Sequence, residues 1–230
     1  MNGRVELQAL QAACGACHVC VDQGIIPEAT PTFAGSWGAP FFLVGQAPGP
    51  VERESRRPFS GRAGKELDRW MVRAGFESPE AFRRLTYIAA LMRCFPGRNR
   101  AGNGDLTPQP AAVANCAHWL DGELRIMKPK VLILVGQLAI ARFLGPGRLE
   151  ERVGHRFGER PVMIPLPHPS GQSRWLNDPA NRDRLAAALA LVGQSRSGLA
   201  PRAKKHNSGG GARNRPASSG PDEKAMRRKA

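Results

Sequence analysis

A glycine- and proline-rich segment near residue 45 is the part of this 230-residue chain that most clearly indicates a functional site. Residues 43–52 read LVGQAPGPVE, and residues 58–64 read PFSGRAG. The pattern predicts a buried strand, a tight turn and then a helix that begins near Lys65. Open parallel sheets bind ligands at such junctions, beyond the carboxyl ends of their strands. We therefore expect a ligand site here.

A second candidate segment is residues 166–175, LPHPSGQSRW, in which His168 stands between two prolines. The segment follows a predicted strand, so it should emerge at the same sheet edge as the turn after Gly45. A lone histidine after a strand more often caps or packs than reacts. The flanking prolines fix the backbone of this one, which favours a functional role. The sequence therefore predicts that His168 faces the Gly45 turn across one crevice.

Five cysteines form the third candidate group. Cys14, Cys17 and Cys20 have CxxCxxC spacing, whereas Cys94 follows a predicted strand and Cys116 lies in a predicted helix. Three cysteines within seven residues are not typical of a hydrophobic core. In a chain expected to be cytosolic, such thiols indicate a metal site rather than disulfides. Four thiolates suit structural zinc or an iron–sulfur cluster, and the spacing leaves both open.

The elements that would position these groups alternate along the chain. Hydrophobic periodicity predicts strands that are each followed by a helix, which is typical of a parallel sheet covered on both faces. The predicted strands are residues 40–45, 85–92, 130–136 and 161–166, and the predicted helices are residues 65–74, 110–126, 137–144 and 177–192.

Charge and composition limit the class of protein. The chain carries 34 Lys and Arg against 19 Asp and Glu, a formal net charge of +15, which favours a polyanionic partner. No apolar run reaches the eighteen or so residues that a membrane helix needs, and the first residues lack a signal-peptide pattern. We expect a cytoplasmic protein that does not bind membranes and acts as a monomer.

Two parts are expected along the chain, a folded domain over residues 1–193 and a disordered basic tail over residues 194–230. The tail holds ten Lys or Arg against two acidic residues and contains three consecutive glycines. It cannot bury enough apolar surface to offset the entropy lost on ordering. Such a tail either holds nucleic acid loosely or only keeps the protein soluble, and the sequence leaves both open.

Together, these segments resemble family 4 of the uracil-DNA glycosylase superfamily, from about Cys14 to Val192. The resemblance rests on residues 45–52 and 57–64, on the cysteine set and on His168-Pro169-Ser170, in their order and separation. It implies a three-layer α/β/α sandwich around a four-stranded parallel sheet, and a four-iron four-sulfur (4Fe-4S) cluster. It also implies a monofunctional DNA glycosylase of base-excision repair. The implied activity is hydrolysis of the N-glycosidic bond of a flipped-out, deaminated base, with uracil the leading substrate.

The resemblance also implies roles for single residues. His168 would donate to the base oxygen on which negative charge grows, and Glu52 would position or activate water. Phe59 would stack on the flipped base, and the loop after His168 would supply a wedge or contact the DNA backbone. The implied base-pocket residues are Gly45, Gln46, Ala47, Pro48, Gly49, Phe59 and Ala90, and the wedge or backbone candidates are Ser170, Gln172, Arg174 and Trp175.

The same resemblance implies a ligand set and a partner. The cluster ligands would be Cys17, Cys20, Cys94 and Cys116, with Cys14 as an alternative ligand. Structural zinc stays the alternative cofactor. The partner would be DNA carrying a damaged base, either double- or single-stranded.

Three departures from the family pattern concern the base pocket. Family members with uracil activity carry an acid where this chain has Gln46, and an Asn that reads the pyrimidine edge where it has Ala90. An alanine side chain cannot form hydrogen bonds, and a buried base edge left unpaired costs roughly 1 to 3 kcal/mol. The third departure is a longer segment, residues 95–115, which either covers the pocket or is only a polar loop. The alternative to a glycosylase is therefore a non-catalytic DNA-binding or damage-sensing member with a decayed base pocket.

Overall fold

The computed structural model describes residues 2–102, 104–170 and 174–199. Within these residues, the strands are β1 (Phe41–Gly45), β2 (Thr86–Ala90), β3 (Val131–Val135) and β4 (Val162–Leu166). The helices are α1 (Gly3–Gly15), α2 (Val19–Asp22), α3 (Pro50–Ser55), α4 (Arg62–Arg73), α5 (Pro79–Arg84), α6 (Pro110–Met127), α7 (Gln137–Leu144), α8 (Leu149–Arg152) and α9 (Pro179–Leu199). A 3₁₀ turn, Arg174–Asn177, precedes α9.

The four strands form one parallel sheet in the order β2-β1-β3-β4. The chain crosses from β1 to one side to form β2 and to the other side to form β3. The point at which the order reverses therefore lies between β1 and β3. In open α/β sheets this reversal opens a crevice beyond the carboxyl ends of the strands. The predicted four-stranded parallel sheet is confirmed.

Helices cover both faces of the sheet. Every residue of β1, β2 and β3 is buried, so these strands do not alternate between core and solvent. On one face, Leu43 packs in a core with Trp70 of α4 and with residues of α9. On the other face, Val44 packs in a core with Leu120 of α6 and with residues of α1 and α7. This arrangement confirms the predicted three-layer α/β/α sandwich.

The last helix is longer than the sequence predicts. It was expected to end at Val192, but α9 continues to Leu199, across the expected boundary at residue 193. The extra turns are held by the core, because Leu199 packs against it and the Arg196 guanidinium lies 5.6 Å from the Phe76 ring centroid. The remainder of the predicted tail, residues 200–230, lies outside the described residues.

Several helices, most of them short, were not predicted. Helix α1 spans the first of the cysteines and begins after Asn2, whose side-chain oxygen accepts a hydrogen bond from the Arg4 amide at 3.1 Å. Helices α3 and α5 each begin with a proline, Pro50 and Pro79, a residue that suits the first helical position. Within the described residues, no helix is both long and apolar enough to cross a membrane.

Candidate active site

The loops after β1 and β4 lie at the same edge of the sheet. Only β3 separates the two strands, and two inter-strand spacings amount to roughly 10 Å. His168 follows β4 and reaches over the end of β3, because a Cβ atom on Gly136 would lie 3.4 Å from Cδ2 of His168. The positive φ of Gly136, 89°, also requires glycine at this point. The imidazole thus lies on the end of β3, on the side of the turn that follows β1.

The protonation of His168 follows from its surroundings. The Ser170 amide donates to Nδ1 at 3.3 Å, so Nδ1 carries no proton and the neutral ring holds its proton on Nε2. Burial lowers the pKa of His168 from its usual value, which favours the neutral ring near neutral pH. The residue therefore presents one N–H donor and no net charge.

Phe59 lies against the turn that follows β1. A Cβ atom on Gly45 would lie only 3.1 Å from Cζ of the Phe59 ring, so a larger residue at that position would push the ring aside. Phe59 itself has a φ of 53°, in the left-handed region, which costs a residue with a side chain on the order of 1 to 2 kcal/mol. The fold holds this strained conformation, and strain of this kind is common in ligand clamps. The aromatic face is thus already in place at the sheet edge.

Glu52 joins the two halves of the first motif. Its carboxylate accepts from the Gly49 amide at 3.1 Å through Oε2 and from the Gly61 amide at 2.8 Å through Oε1. The side chain is buried, with 8% of its surface exposed. Gly49 and Gly61 are the N-cap residues of α3 and α4, so one carboxylate satisfies an amide at the start of each helix. This geometry supports a role for Glu52 in positioning the two turns. That Glu52 positions or activates water stays a prediction.

The end of β2 forms the wall beside the first loop. Ala90 pairs with Gly45, and the pairing continues beyond both strands: the Leu91 amide donates to the Gly45 carbonyl at 3.0 Å and the Met92 amide to the Gln46 carbonyl at 3.1 Å. The strand end is thereby fixed, and Ala90 contributes only a methyl group. Any hydrogen bond to a base edge on this side would have to come from another residue.

The longer segment between Cys94 and Cys116 folds back on the first loop. Residues 97–98 pair with residues 105–106: Arg98 and Asp105 form an antiparallel bridge, and the Leu106 amide donates to the Gly97 carbonyl at 2.8 Å, which makes a short hairpin. A Cβ atom on Gly49 would lie 3.3 Å from Oδ2 of Asp105, so the hairpin reaches the first loop. Partial burial raises the pKa of Asp105; Arg98 opposes this and the Glu52 charge adds to it. The length and polarity of this segment were the sequence signal for this contact.

The wedge candidates differ in how firmly they are held. Trp175 packs against the core and donates from Nε1 to Oε1 of Glu150 at 2.8 Å, which fixes its indole. Arg174 is exposed, whereas the amide of Ser170 is engaged by His168. Gln172 lies outside the described residues. Among the described wedge candidates, Arg174 is the exposed one, and its contact with DNA stays a prediction.

All five cysteines line one cavity between α1, α2, α6 and the end of β2. Their thiols form no disulfides, and Cys17 is the least buried of them. Burial raises the pKa of Cys94 to about 11, so a thiolate there requires a compensating cation. In the part of the chain that the structure describes, no three His, Cys, Asp or Glu side chains are placed to hold a single metal ion.

Hydrogen-bond donors surround this cavity. The Thr30 amide donates to Sγ of Cys94 at 3.4 Å, and Asn115 donates to Sγ of Cys20 at 3.5 Å. Arg93 Nε and Trp119 Nε1 also line the cavity region and are buried without a hydrogen-bond partner among the described residues. Buried donors left without acceptors are costly. The cavity therefore suits an occupant that binds thiolates and itself offers acceptor atoms.

A buried ion pair that sequence reasoning missed fixes Arg93. Arg93 and Glu123 are 1% and 0% exposed, and Arg93 Nη2 lies 2.6 Å from Glu123 Oε2. The Tyr87 hydroxyl donates to the same carboxylate at 2.8 Å. Two hydrogen bonds to this one carboxylate, from Nη1 and Nη2, hold the guanidinium in one orientation. Its Nε–H keeps no hydrogen-bond partner among the described residues.

Known proteins resemble this chain over most of its folded part. Residues 33–191 match the family model of the Uracil DNA glycosylase superfamily, a range that begins after α2. The chain is 29% identical over 156 residues to the Type-4 uracil-DNA glycosylase of Pyrobaculum aerophilum, which covers 67% of this chain and 74% of that protein. It is 28% identical over 146 residues to the enzyme of that name from Archaeoglobus fulgidus, covering 59% and 68%.

A further relative is the Type-4 uracil-DNA glycosylase of Thermotoga maritima, 32% identical over 102 residues. That match spans 44% of this chain and 47% of the relative, about half of each. The resemblance inferred from the motifs is thus confirmed by a family model that covers more than half of the sequence. This chain belongs to the uracil-DNA glycosylase superfamily.

Proposed function

We propose that this protein is a DNA glycosylase of base-excision repair that hydrolyses the N-glycosidic bond of a flipped-out deaminated base, with uracil as the leading substrate. The observation that carries the proposal is the neutral, half-buried His168, which lies at the sheet edge that also bears Gly45 and Phe59. The names of the relatives support the same activity.

The chemistry requires few protein groups. When the N-glycosidic bond breaks, its electron pair stays on the base, and water adds to the sugar carbon. The base leaves as an anion, and a proton from the water is lost to solvent. A preorganised donor at the base oxygen stabilises the growing negative charge, and Nε2 of His168 is such a donor. A neutral ring keeps its proton, so His168 acts by hydrogen bonding.

Binding of the extruded base would rest on Phe59. Stacking on an aromatic side chain is worth about 1 to 3 kcal/mol per base and works for any base. The formal charge of +15 supports DNA as the partner, since phosphate contacts dominate such affinities.

The second candidate is a DNA-binding member that does not cleave. It is favoured by the methyl group of Ala90, which cannot read a base edge, and by Glu52, both of whose oxygens bind backbone amides. Both candidates predict DNA binding, so only a test for base release separates them.

The deciding experiment offers the protein a panel of damaged oligonucleotides. Uracil, hypoxanthine or xanthine would be placed in single and double strands, and abasic sites would then be cleaved with alkali. We expect strand scission with at least one base, abolished in the His168→Ala variant. The matched control is His155→Ala, which removes an imidazole from the loop before β4. Absence of scission with every base would favour the non-catalytic DNA-binding member.

We propose that the cysteine cavity holds a 4Fe-4S cluster, ligated by Cys17, Cys20, Cys94 and Cys116, with Cys14 as the alternative ligand. The unpartnered donors support this choice, because the inorganic sulfides of a cluster accept hydrogen bonds, whereas a zinc ion offers no acceptor atom. Cys20, Cys94 and Cys116 also pack in one apolar group. When bound, the cluster would link the N-terminal helices to β2 and α6.

Metal content and cysteine variants test this assignment. We expect brown protein with about four iron and four sulfide per chain after anaerobic purification. Cys20→Ser should lose most of the iron, whereas Cys14→Ser should keep it. If Cys20→Ser keeps its iron and Cys14→Ser loses it, Cys14 is the ligand in place of Cys20. Colourless protein that contains one zinc would establish the alternative cofactor.

A further inference from the structure

We infer that Arg83, held by Asp68, is the positioning residue that keeps Phe59 ready to stack on the flipped base. This inference rests on the proposed function, because it assigns a role within the same site. Neither Arg83 nor Asp68 belongs to the motifs that the sequence singled out. Arg83 contacts the Phe59 backbone, and Asp68 contacts Arg83.

The Phe59 carbonyl is packed tightly onto the start of α4. A Cβ atom on Gly64 would lie 1.8 Å from the Phe59 carbonyl oxygen, so position 64 accepts only glycine in this arrangement. The backbone of Phe59 is left-handed, with a φ of 53°. A strained peptide in such close contact persists only where its surroundings hold it.

Arg83 supplies the holding contacts. From the end of α5, its Nη1 donates to the Pro58 carbonyl at 3.0 Å and its Nη2 donates to the Phe59 carbonyl at 2.7 Å. Two successive carbonyl groups are thereby fixed by one planar guanidinium. The Arg83 side chain is only 13% exposed, so water competes little for these bonds.

Asp68 fixes Arg83 in turn. Its Oδ1 and Oδ2 lie 3.1 and 3.2 Å from Nη2 of Arg83. Asp68 is on α4, four residues after Gly64, so the pair ties the turn at Phe59 to both α4 and α5. The guanidinium cannot rotate away without breaking several bonds at once.

The position of the ring follows from the position of its backbone. The Phe59 ring rests on Gly45, so closely that a Cβ atom added to that glycine would lie 3.1 Å from Cζ of the ring. If the Phe59 carbonyl were released, the backbone would relax out of the left-handed region and carry the ring away from Gly45. Arg83 thus preorganises the stacking surface before DNA arrives, which lowers the cost of binding.

The test compares Arg83→Met with Arg84→Met, which removes the same charge from the exposed neighbouring position. For Arg83→Met, we expect the DNA concentration at half-maximal excision to rise about tenfold, the scale of one lost stacking contact. The excision rate at saturating DNA should fall less. Arg84→Met should match the unmodified protein within about twofold. Equal behaviour of the two variants would overturn the inference.

A double variant shows whether Arg83 acts through Phe59. Adding Arg83→Met to Phe59→Ala should change excision little beyond Phe59→Ala alone, because the ring that Arg83 positions is already absent. If the two substitutions instead multiply their effects on excision, Arg83 acts through something other than the Phe59 ring. If Arg83→Met fails to fold, Arg83→Lys and Asp68→Asn provide milder changes. Both should raise the half-maximal DNA concentration, but by less than the rise of about tenfold that we expect for Arg83→Met. No rise in either variant would contradict the inference.

DNA binding separates this inference from the proposed function. If the unmodified protein releases no base, affinity for DNA with an unpaired uracil is measured by fluorescence anisotropy instead. Weaker binding by Arg83→Met than by Arg84→Met would then support the positioning role while the glycosylase proposal fails. If excision occurs and Arg83→Met leaves it unchanged, the positioning role fails while the glycosylase proposal stands.

Discussion

His168 combines two properties that a hydrogen-bond donor to an anionic leaving group needs. It is neutral, because burial lowers its pKa, and its proton lies on Nε2, because Nδ1 accepts from the Ser170 amide. A cationic ring would lose part of its hydration at this half-buried position. A neutral donor avoids that cost and still favours charge on the base.

The pH dependence of excision should reflect this neutral ring. An ordinary histidine titrates near 6.5, and the folded pKa of His168 lies below that value. Protonation of Nδ1 would break the hydrogen bond from Ser170. We therefore expect single-turnover excision to stay constant from about pH 8 down to the folded pKa and to fall below it. A rate that rises as pH falls through this range would instead indicate a cationic donor.

Among the secondary-structure elements, the short helices α3 and α4 decide how the first motif is shaped. Their starting amides share the Glu52 carboxylate, so the glycine turn and the Phe59 turn are held in register. Arg83 then ties the second turn to α5. The active-site loops are thus fixed from beneath by helices, which gives them the rigidity that preorganised catalysis requires.

Glu52→Gln tests whether this shared carboxylate is structural. The amide nitrogen of glutamine would face the Gly49 or Gly61 N–H, so one donor would lose its acceptor. We expect the free energy of unfolding to fall by roughly 1 to 3 kcal/mol, measured by denaturant titration, and the exposed Glu54→Gln is the control. Unchanged stability together with lost excision would assign Glu52 to the reaction itself.

The contact of α9 with α4 offers a second test between elements. A Cβ atom on Gly193 would lie 2.5 Å from the Ala74 carbonyl oxygen, whereas a Cβ atom on Gly198 would meet no described atom within 4 Å beyond its chain neighbours and its own helix backbone. We expect Gly193→Ala to lower the free energy of unfolding by about 1 to 3 kcal/mol. Gly198→Ala, within the same helix, should raise it by up to about 1 kcal/mol. Equal changes would show that α9 does not pack here as described.

For the whole molecule, the dominant property is its positive charge. Lys and Arg outnumber acidic residues by 15, and DNA affinity that arises from such a field weakens with salt. Part of the charge lies in residues 200–230, which hold nine Lys or Arg and two acidic residues. The folded part keeps the remaining excess together with the candidate site.

Deletion of residues 200–230 tests what this segment contributes. If it holds DNA loosely, the truncated protein should bind undamaged duplex more weakly at low salt, and the affinity should depend less steeply on salt concentration. Excision at saturating DNA should not change. Unchanged affinity with lower solubility would assign the segment to solubility alone.

Local patterns were enough to predict the four-stranded parallel sheet and the loops that meet at its edge, whereas the roles of the site residues stay predictions. The hydrophobic runs that became β1 to β4 are each shorter than the predicted span but lie within it, because buried strands need contiguous apolar residues. Their parallel order placed the Gly45 and His168 loops at one sheet edge. Cysteine spacing likewise indicated that the cysteines share one site, and all five line one cavity.

Contacts between distant side chains could be learned only from the folded chain. Arg83 meets Phe59 across 24 residues, Glu123 meets Arg93 across 30, and the hairpin bearing Asp105 reaches Gly49. No local pattern marks such pairs, because an arginine that binds a carbonyl looks the same in sequence as one that faces water. The unpartnered donors at the cysteine cavity likewise became visible only once packing had brought them there.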